Sequence, residues 1–84
     1  MPEKEIVEDK VSELYQQLDV KTQTQEIVEA LKELNDLYRE IIILKYVDQL
    51  STSEIASIIN KSRGATRVLV HRALGVLKKV LDKN

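Results

Sequence analysis

The sequence predicts an all-α fold, a small helical bundle of about five helices with a C-terminal helix-turn-helix. Only Pro2, Gly64 and Gly75 interrupt a chain of 84 residues that is rich in Leu, Ile, Val, Glu and Lys. Apolar residues recur every three or four positions, and no alternating stretch of strand length persists. Each segment between the breaks is therefore expected to be helical.

The first part of the chain contains two predicted helices separated by a polar linker. Residues 3–18 form the first, an amphipathic helix with acidic outer faces, and residues 19–25, DVKTQTQ, form the linker. Thr22 and Gln25 have the spacing of a capping box. A second helix follows, with apolar positions at Ile27, Val28, Leu31 and Leu34.

The apolar pattern changes phase near Asn35 and Asp36, where a third helix is predicted to begin. This helix runs from Leu37 to Val47 and is apolar over much of its circumference. A helix of this kind must be contacted on several sides. Residues 48–50 form the connection that follows it.

Two further helices complete the predicted bundle. Ser51, followed three residues later by Glu54, is a capping box that opens a fourth helix, and this helix ends at Ile59. Ser62 caps the fifth helix, which continues to about Leu81.

The short break between these two helices meets the requirements of a helix-turn-helix. The helices must approach closely, which needs a small residue in the first of them, and Ala56 supplies it. The turn needs a residue that tolerates positive φ, and Asn60 is the best choice after glycine. The fifth helix must then pack one side against the core, and this side is formed by Thr66, Leu69, Val70, Ala73 and Leu77.

The charges are distributed unevenly, although the net charge is only −1. Residues 61–84 hold seven Lys or Arg and one acid, a net charge of +6, whereas the other sixty residues hold six bases and thirteen acids, a net charge of −7. Such asymmetry suggests that one face is built for a polyanion.

The outward face of the fifth helix predicts how DNA would be bound. A helix whose N-terminal half lies in the major groove can place Arg63, Arg67 and His71 at base edges. Lys61, Arg72 and the helix N-terminus can hold phosphates. If four cations each neutralise one phosphate, the logarithm of the binding constant falls with that of salt concentration with a slope of roughly −3.6.

A family resemblance is carried by LNDLYREIIILKYVDQLSTSEIASIINKSRGATRVLVHRAL, which is residues 34–74. With YRE, LS, EIA and HRA at their spacing, the chain resembles the fourth region of bacterial sigma factors, especially the extracytoplasmic-function group, over about residues 27–82. The resemblance implies that the last helix recognises the promoter −35 element and that the domain docks on the flap of the RNA polymerase β subunit.

Two regions and two sets of contacts are therefore predicted. Residues 1–25 form the acidic helix and its linker, and residues 26–84 form the region-four-like DNA-binding domain. The residues expected to contact DNA are Thr52, Lys61, Ser62, Arg63, Ala65, Arg67, Val68, His71 and Arg72. The residues expected to contact the polymerase are Tyr38, Ile41, Ile42 and Lys45.

The chain departs from the family pattern at several positions. Asn35 replaces a usual proline, Gln49 and Asn60 replace glycines, and Lys61 replaces an apolar residue of the turn. Val68 stands where serine is common and points about where DNA would lie. It can contact a thymine methyl group, or it can indicate a protein partner.

Several classes of function are excluded or disfavoured. Cysteine is absent and there is one histidine, so neither a disulfide nor a zinc site is expected, and no cofactor is implied. The same histidine lies on the presumed DNA face with no oxyanion turn, so no enzyme is predicted. The longest apolar run, Ile41–Leu44, is far short of a membrane span of roughly 20 residues, and a cytoplasmic location is expected.

Two other functions remain open. The chain can be a protein-interaction module that binds an anti-sigma protein or forms a homodimer, or a dimeric helix-turn-helix regulator that demands a palindromic site. The sequence is compatible with an excised C-terminal domain and with a small stand-alone protein of the same shape.

Overall fold

The structure, a computed structural model, describes residues 24–83, which form helices joined by short turns, with no strand in this range. The helices of this range, in chain order, are α1 (Thr24–Lys32), α2 (Asp36–Ile42), α3 (Thr52–Ile59) and α4 (Arg63–Lys83), and a π-helical segment (Ile43–Val47) continues α2. The all-α prediction is confirmed for these residues. The helix predicted over residues 3–18 and the capping position Thr22 lie outside them.

The corner between α1 and α2 is held by side chains of its own residues. Asn35, in the extended conformation, accepts a hydrogen bond at Oδ1 from the Tyr38 amide at 2.8 Å and so caps α2. Arg39 reaches back, donating to the Leu34 carbonyl at 3.3 Å and pairing with the Asp36 carboxylate. The asparagine that departs from the family's proline therefore has a structural role as a helix cap.

The start of α1 differs from the prediction by two residues. Gln25 was expected in a linker, but it lies in α1, which begins at Thr24. Glu26 lies in the first turn, where an acid complements the positive end of the helix dipole. At the other end, Leu34 lies beyond the last residue of α1 and is still buried, because the chain turns it into the core.

The π-helical segment ends the third predicted helix in a wider turn. The Asp48 amide donates to the Ile43 carbonyl, and the Leu50 amide donates to the Leu44 carbonyl, both at 2.9 Å. Gln49 between these donors has a φ of 58°, the left-handed region. A residue that replaces the family's glycine thus adopts the conformation that glycine favours, and the chain reverses there into α3.

The capping box that opens α3 is confirmed in both of its hydrogen bonds. Ser51 Oγ accepts from the Glu54 amide at 3.1 Å, and the Glu54 carboxylate accepts from the Ser51 amide at 2.8 Å. The second bond, together with the Ser51 hydroxyl, lowers the pKa of Glu54 below its ordinary value. Ionised Glu54 therefore fixes the beginning of α3.

The turn between α3 and α4 consists of residues 60–62. Asn60 has φ 60° and ψ 49°, which confirms the predicted left-handed conformation. The amides of Asn60 and Lys61 both donate to the carbonyl of Ala56, which satisfies the end of α3. Ala56 itself is buried, as the close approach of two helices requires.

The core lies where α4 packs against α1, α2 and α3. The predicted stripe of α4 is confirmed at Thr66, Ala73 and Leu77, which are fully buried, whereas Leu69 and Val70 are half-buried at its edges. Thr66 Oγ1 donates to the Ser62 carbonyl at 2.8 Å, so this buried hydroxyl is satisfied. Within residues 24–83, no helix is long and apolar enough to cross a membrane.

Candidate nucleic-acid interface

The first turn of α4 is fixed by short side chains from the turn and from α3. Ser62 Oγ accepts from the Ala65 amide at 3.1 Å, which confirms the predicted cap. Arg63 Nη1 donates to Ser53 Oγ in α3 at 3.3 Å. These two bonds, with the left-handed Asn60, set the direction in which α4 leaves the turn.

The outward face of α4 is defined by its position relative to the core. At 100° per residue, Val68 lies about 160° round the helix from the mean direction of the buried Thr66, Ala73 and Leu77. Arg67 and Arg72 lie about 140° apart, one on each side of Val68. The exposed residues of the N-terminal half of this helix are Arg63, Gly64, Ala65, Arg67, Val68, His71 and Arg72, and we call this surface the α4 face.

The cations of the α4 face are not neutralised within the described part of the chain. The ion pairs of the described residues lie outside the α4 face, between Lys32 and Glu29 and between Arg39 and Asp36. The sequence has no acid between Glu54 and Asp82. The arginines of this surface therefore create a positive potential that is available to a polyanion.

The residues predicted to contact DNA are brought together by the helix-turn-helix. Thr52 lies half-buried at the start of α3, Lys61 and Ser62 are exposed in the turn, and all the others belong to the α4 face. None of them is buried in the core. Their contacts with DNA stay predictions, since the structure contains this chain alone.

The prediction that Ile41 and Ile42 contact the polymerase is wrong, because both side chains are fully buried. They form the centre of the core, where α2 meets its neighbours, so they present no surface to a partner. The other two residues of this prediction, Tyr38 and Lys45, are half-buried and retain some exposed surface. They alone remain candidates from that set.

A shallow depression on the outer side of α2 was not predicted. Its lining combines a charged rim with half-buried apolar side chains: Asp36, Arg39, Glu40, Ile43 and Leu44. The sequence signal was the spacing of residues 36, 40, 43 and 44, which places them on one side of a helix. In a helix that is apolar on most sides, this spacing does not distinguish Ile43 and Leu44 from the core residues beside them.

Helices α3 and α4 with the three-residue turn between them define a helix-turn-helix domain. The arginines of the α4 face form no ion pair within residues 24–83. Residues 24–77 match the family described as sigma-70, region 4. The chain belongs to this family, which confirms the resemblance seen in the sequence. The family is not enzymatic, in agreement with the prediction that the chain is no enzyme.

The chain is also similar to three sigma factors over part of their length. It is 40% identical over 55 residues to the ECF RNA polymerase sigma factor SigW of Bacillus subtilis (strain 168), which covers 66% of this chain and 29% of that protein. It is 32% identical over 56 residues to the RNA polymerase sigma-E factors of Streptomyces antibioticus and Streptomyces avermitilis, covering 67% of this chain and 31% of each protein. The chain thus spans less than a third of their length. No solved structure matches the chain significantly.

Proposed function

We propose that this chain recognises the −35 element of promoters and acts with RNA polymerase in transcription initiation. The observation that carries the proposal is the α4 face, where Arg63, Arg67 and Arg72 are exposed and form no ion pair within the described residues. In a helix-turn-helix domain, this is the surface that enters the major groove.

The residues of the α4 face divide into base contacts and phosphate contacts. Arg67 can donate two parallel hydrogen bonds to the O6 and N7 atoms of a guanine, and His71 lies one turn further along the same face. Lys61 in the turn and Arg72 at the edge are placed for phosphates, which position the helix without reading sequence. The N-terminus of α4 can bind a phosphate of the same backbone.

Attachment to polymerase compensates for the weak affinity of one small module. A domain tethered to the β flap experiences a high effective concentration of the promoter, so modest intrinsic binding is enough. Tyr38 in α2 and Lys45 in the π-helical segment are half-buried, retain some exposed surface and are the candidates for this contact. Because RNA polymerase and promoter DNA are cytoplasmic in bacteria, a chain that binds both is expected in the cytoplasm.

Binding of duplex DNA by the Arg67→Ala variant tests this proposal. The probe is a duplex enriched from a random-sequence pool by the chain itself, and affinity is measured by fluorescence anisotropy. Losing one bidentate contact should cost about 1–3 kcal/mol of binding free energy. Lys83→Ala is the matched control, since it removes one charge from the same helix roughly 24 Å away.

The rival functions give different results in the same experiment. A protein-interaction module would enrich no duplex and would sediment as a tight dimer or bind a protein partner, whereas a dimeric regulator would enrich palindromes with half-sites about one helical turn apart. Equal affinities of the wild type, Arg67→Ala and Lys83→Ala would contradict the assignment of the α4 face.

A further inference from the structure

Val68 is an apolar side chain at the middle of a cationic surface. It is 48% exposed and stands between Arg67 and Arg72 on the α4 face, nearly opposite the buried stripe. Valine is a poorer helix former than alanine because its branched side chain loses rotamer freedom. Neither burial nor helix propensity therefore accounts for a valine at this position.

We propose that Val68 reads the 5-methyl group of a thymine in the major groove, so that the bound site must contain thymine opposite this side chain. The inference rests on the proposed DNA-binding function and adds the chemical group that is recognised. The thymine methyl is the apolar group that base pairs present in that groove, and contact with it distinguishes thymine from the other bases. The two γ-methyl groups of Val68 supply the matching surface.

A short side chain reaches a base edge only if the helix backbone lies close to the groove floor. Gly64, four residues before Val68, lies on the same outward face. A Cβ placed at Gly64 would meet nothing within 4 Å, so no internal packing requires glycine there. The missing side chain leaves room for DNA to approach the helix next to Val68.

Charge favours DNA over a second copy of this chain as the occupant. The α4 face carries Arg63, Arg67 and Arg72 and no acid. Two such faces packed together would place like charges against one another, which disfavours association. Polyanionic DNA instead complements the positive charge of this face.

Replacement of thymine by deoxyuridine tests the inference, because deoxyuridine lacks only the methyl group. Each thymine of an enriched duplex is replaced in turn, and affinity is measured for the wild type and Val68→Ala. The wild type should lose about fourfold in affinity at one position, because that factor corresponds to the free energy of burying one methyl group. Val68→Ala, which lacks both γ-methyl groups, should show less discrimination between the thymine and deoxyuridine duplexes at that position.

A matched valine variant and a double-mutant cycle separate the contact of Val68 with the thymine methyl from other effects. Val76→Ala removes the same atoms from another exposed valine of α4, outside the α4 face, and should keep the fourfold discrimination. Comparing both proteins on both duplexes isolates the coupling between the methyl groups from any change in the duplex alone. Alanine is the best helix former, so Val68→Ala retains the fold.

The possible outcomes distinguish failure of this inference from failure of the proposed function. If the wild type binds DNA but Val68→Ala shows the same deoxyuridine discrimination, Val68 does not read thymine and the inference is wrong. The inference is equally overturned if no thymine is sensitive, or if Val68→Ala instead dissociates a dimer in sedimentation. If no duplex is enriched at all, the proposed function itself fails.

Discussion

The stability of Asn60 variants tests whether Asn60 has the left-handed conformation that directs the chain from α3 into α4. Asn60 is exposed and has φ 60° and ψ 49°, so its replacement changes backbone preference and removes no packing. A Cβ in the left-handed region costs about 1–2 kcal/mol. Glycine avoids that cost but gives up about 0.5–1 kcal/mol in conformational entropy. Asn60→Gly should therefore be more stable than Asn60→Ala by about 0.5–1 kcal/mol.

Ser57 provides a control in which the order should reverse. It is exposed in α3, three residues before Asn60, and has ordinary helical geometry. At such a position alanine is more favourable than glycine by about 1 kcal/mol. Ser57→Ala should thus be more stable than Ser57→Gly, opposite to the pair at Asn60.

The free energies of unfolding of these four variants follow from urea denaturation monitored by circular dichroism, provided that the slope with urea is the same for all. Equal stability of Asn60→Gly and Asn60→Ala, or a preference for alanine at both positions, would refute the assigned turn conformation. In that case α4 would not leave the turn in the direction described here.

Three further predictions concern the core, the second left-handed residue and the capping box. Ile41→Ala should lower the free energy of unfolding by about 2–5 kcal/mol in urea, because Ile41 is fully buried; a surface contact would cost little. Gln49→Gly should leave stability unchanged or raise it by up to about 1 kcal/mol in thermal unfolding, because Gln49 has a φ of 58°. The stabilisation by ionised Glu54 should be complete above pH 4.5 and be lost as acid titrates its lowered folded pKa, and Glu54→Gln should abolish this pH dependence.

Local signals predicted the helix-turn-helix well. The Ser51 capping box, the left-handed Asn60 and the Ser62 cap depend on hydrogen bonds or backbone preferences within a few residues. Such features depend on residues close together in the sequence, which is why their positions were predicted to the residue. The outward face of α4 followed from the same kind of evidence, since its buried stripe has simple helical spacing.

Long-range packing limited the prediction around α2 and the π-helical segment. A uniform helical wheel does not show which apolar side of a helix meets which neighbour, so Ile41 and Ile42 were assigned to a surface although they form the core. The π-helical turns at residues 43–47 lead into the left-handed Gln49, and helix propensity reports neither feature. The depression beside Arg39 was missed for the same reason.

Salt dependence of DNA binding tests the central claim most directly. Anisotropy with an enriched duplex should give a log–log slope of roughly −1.8 for the wild type if only Lys61 and Arg72 neutralise phosphates, and the slope would reach roughly −3.6 only if two further cations did so. Lys61→Ala and Arg72→Ala should each reduce the magnitude of the slope by about 0.9, and Lys83→Ala should leave it unchanged. An affinity that is indifferent both to salt and to the substitution of these cations would contradict the account.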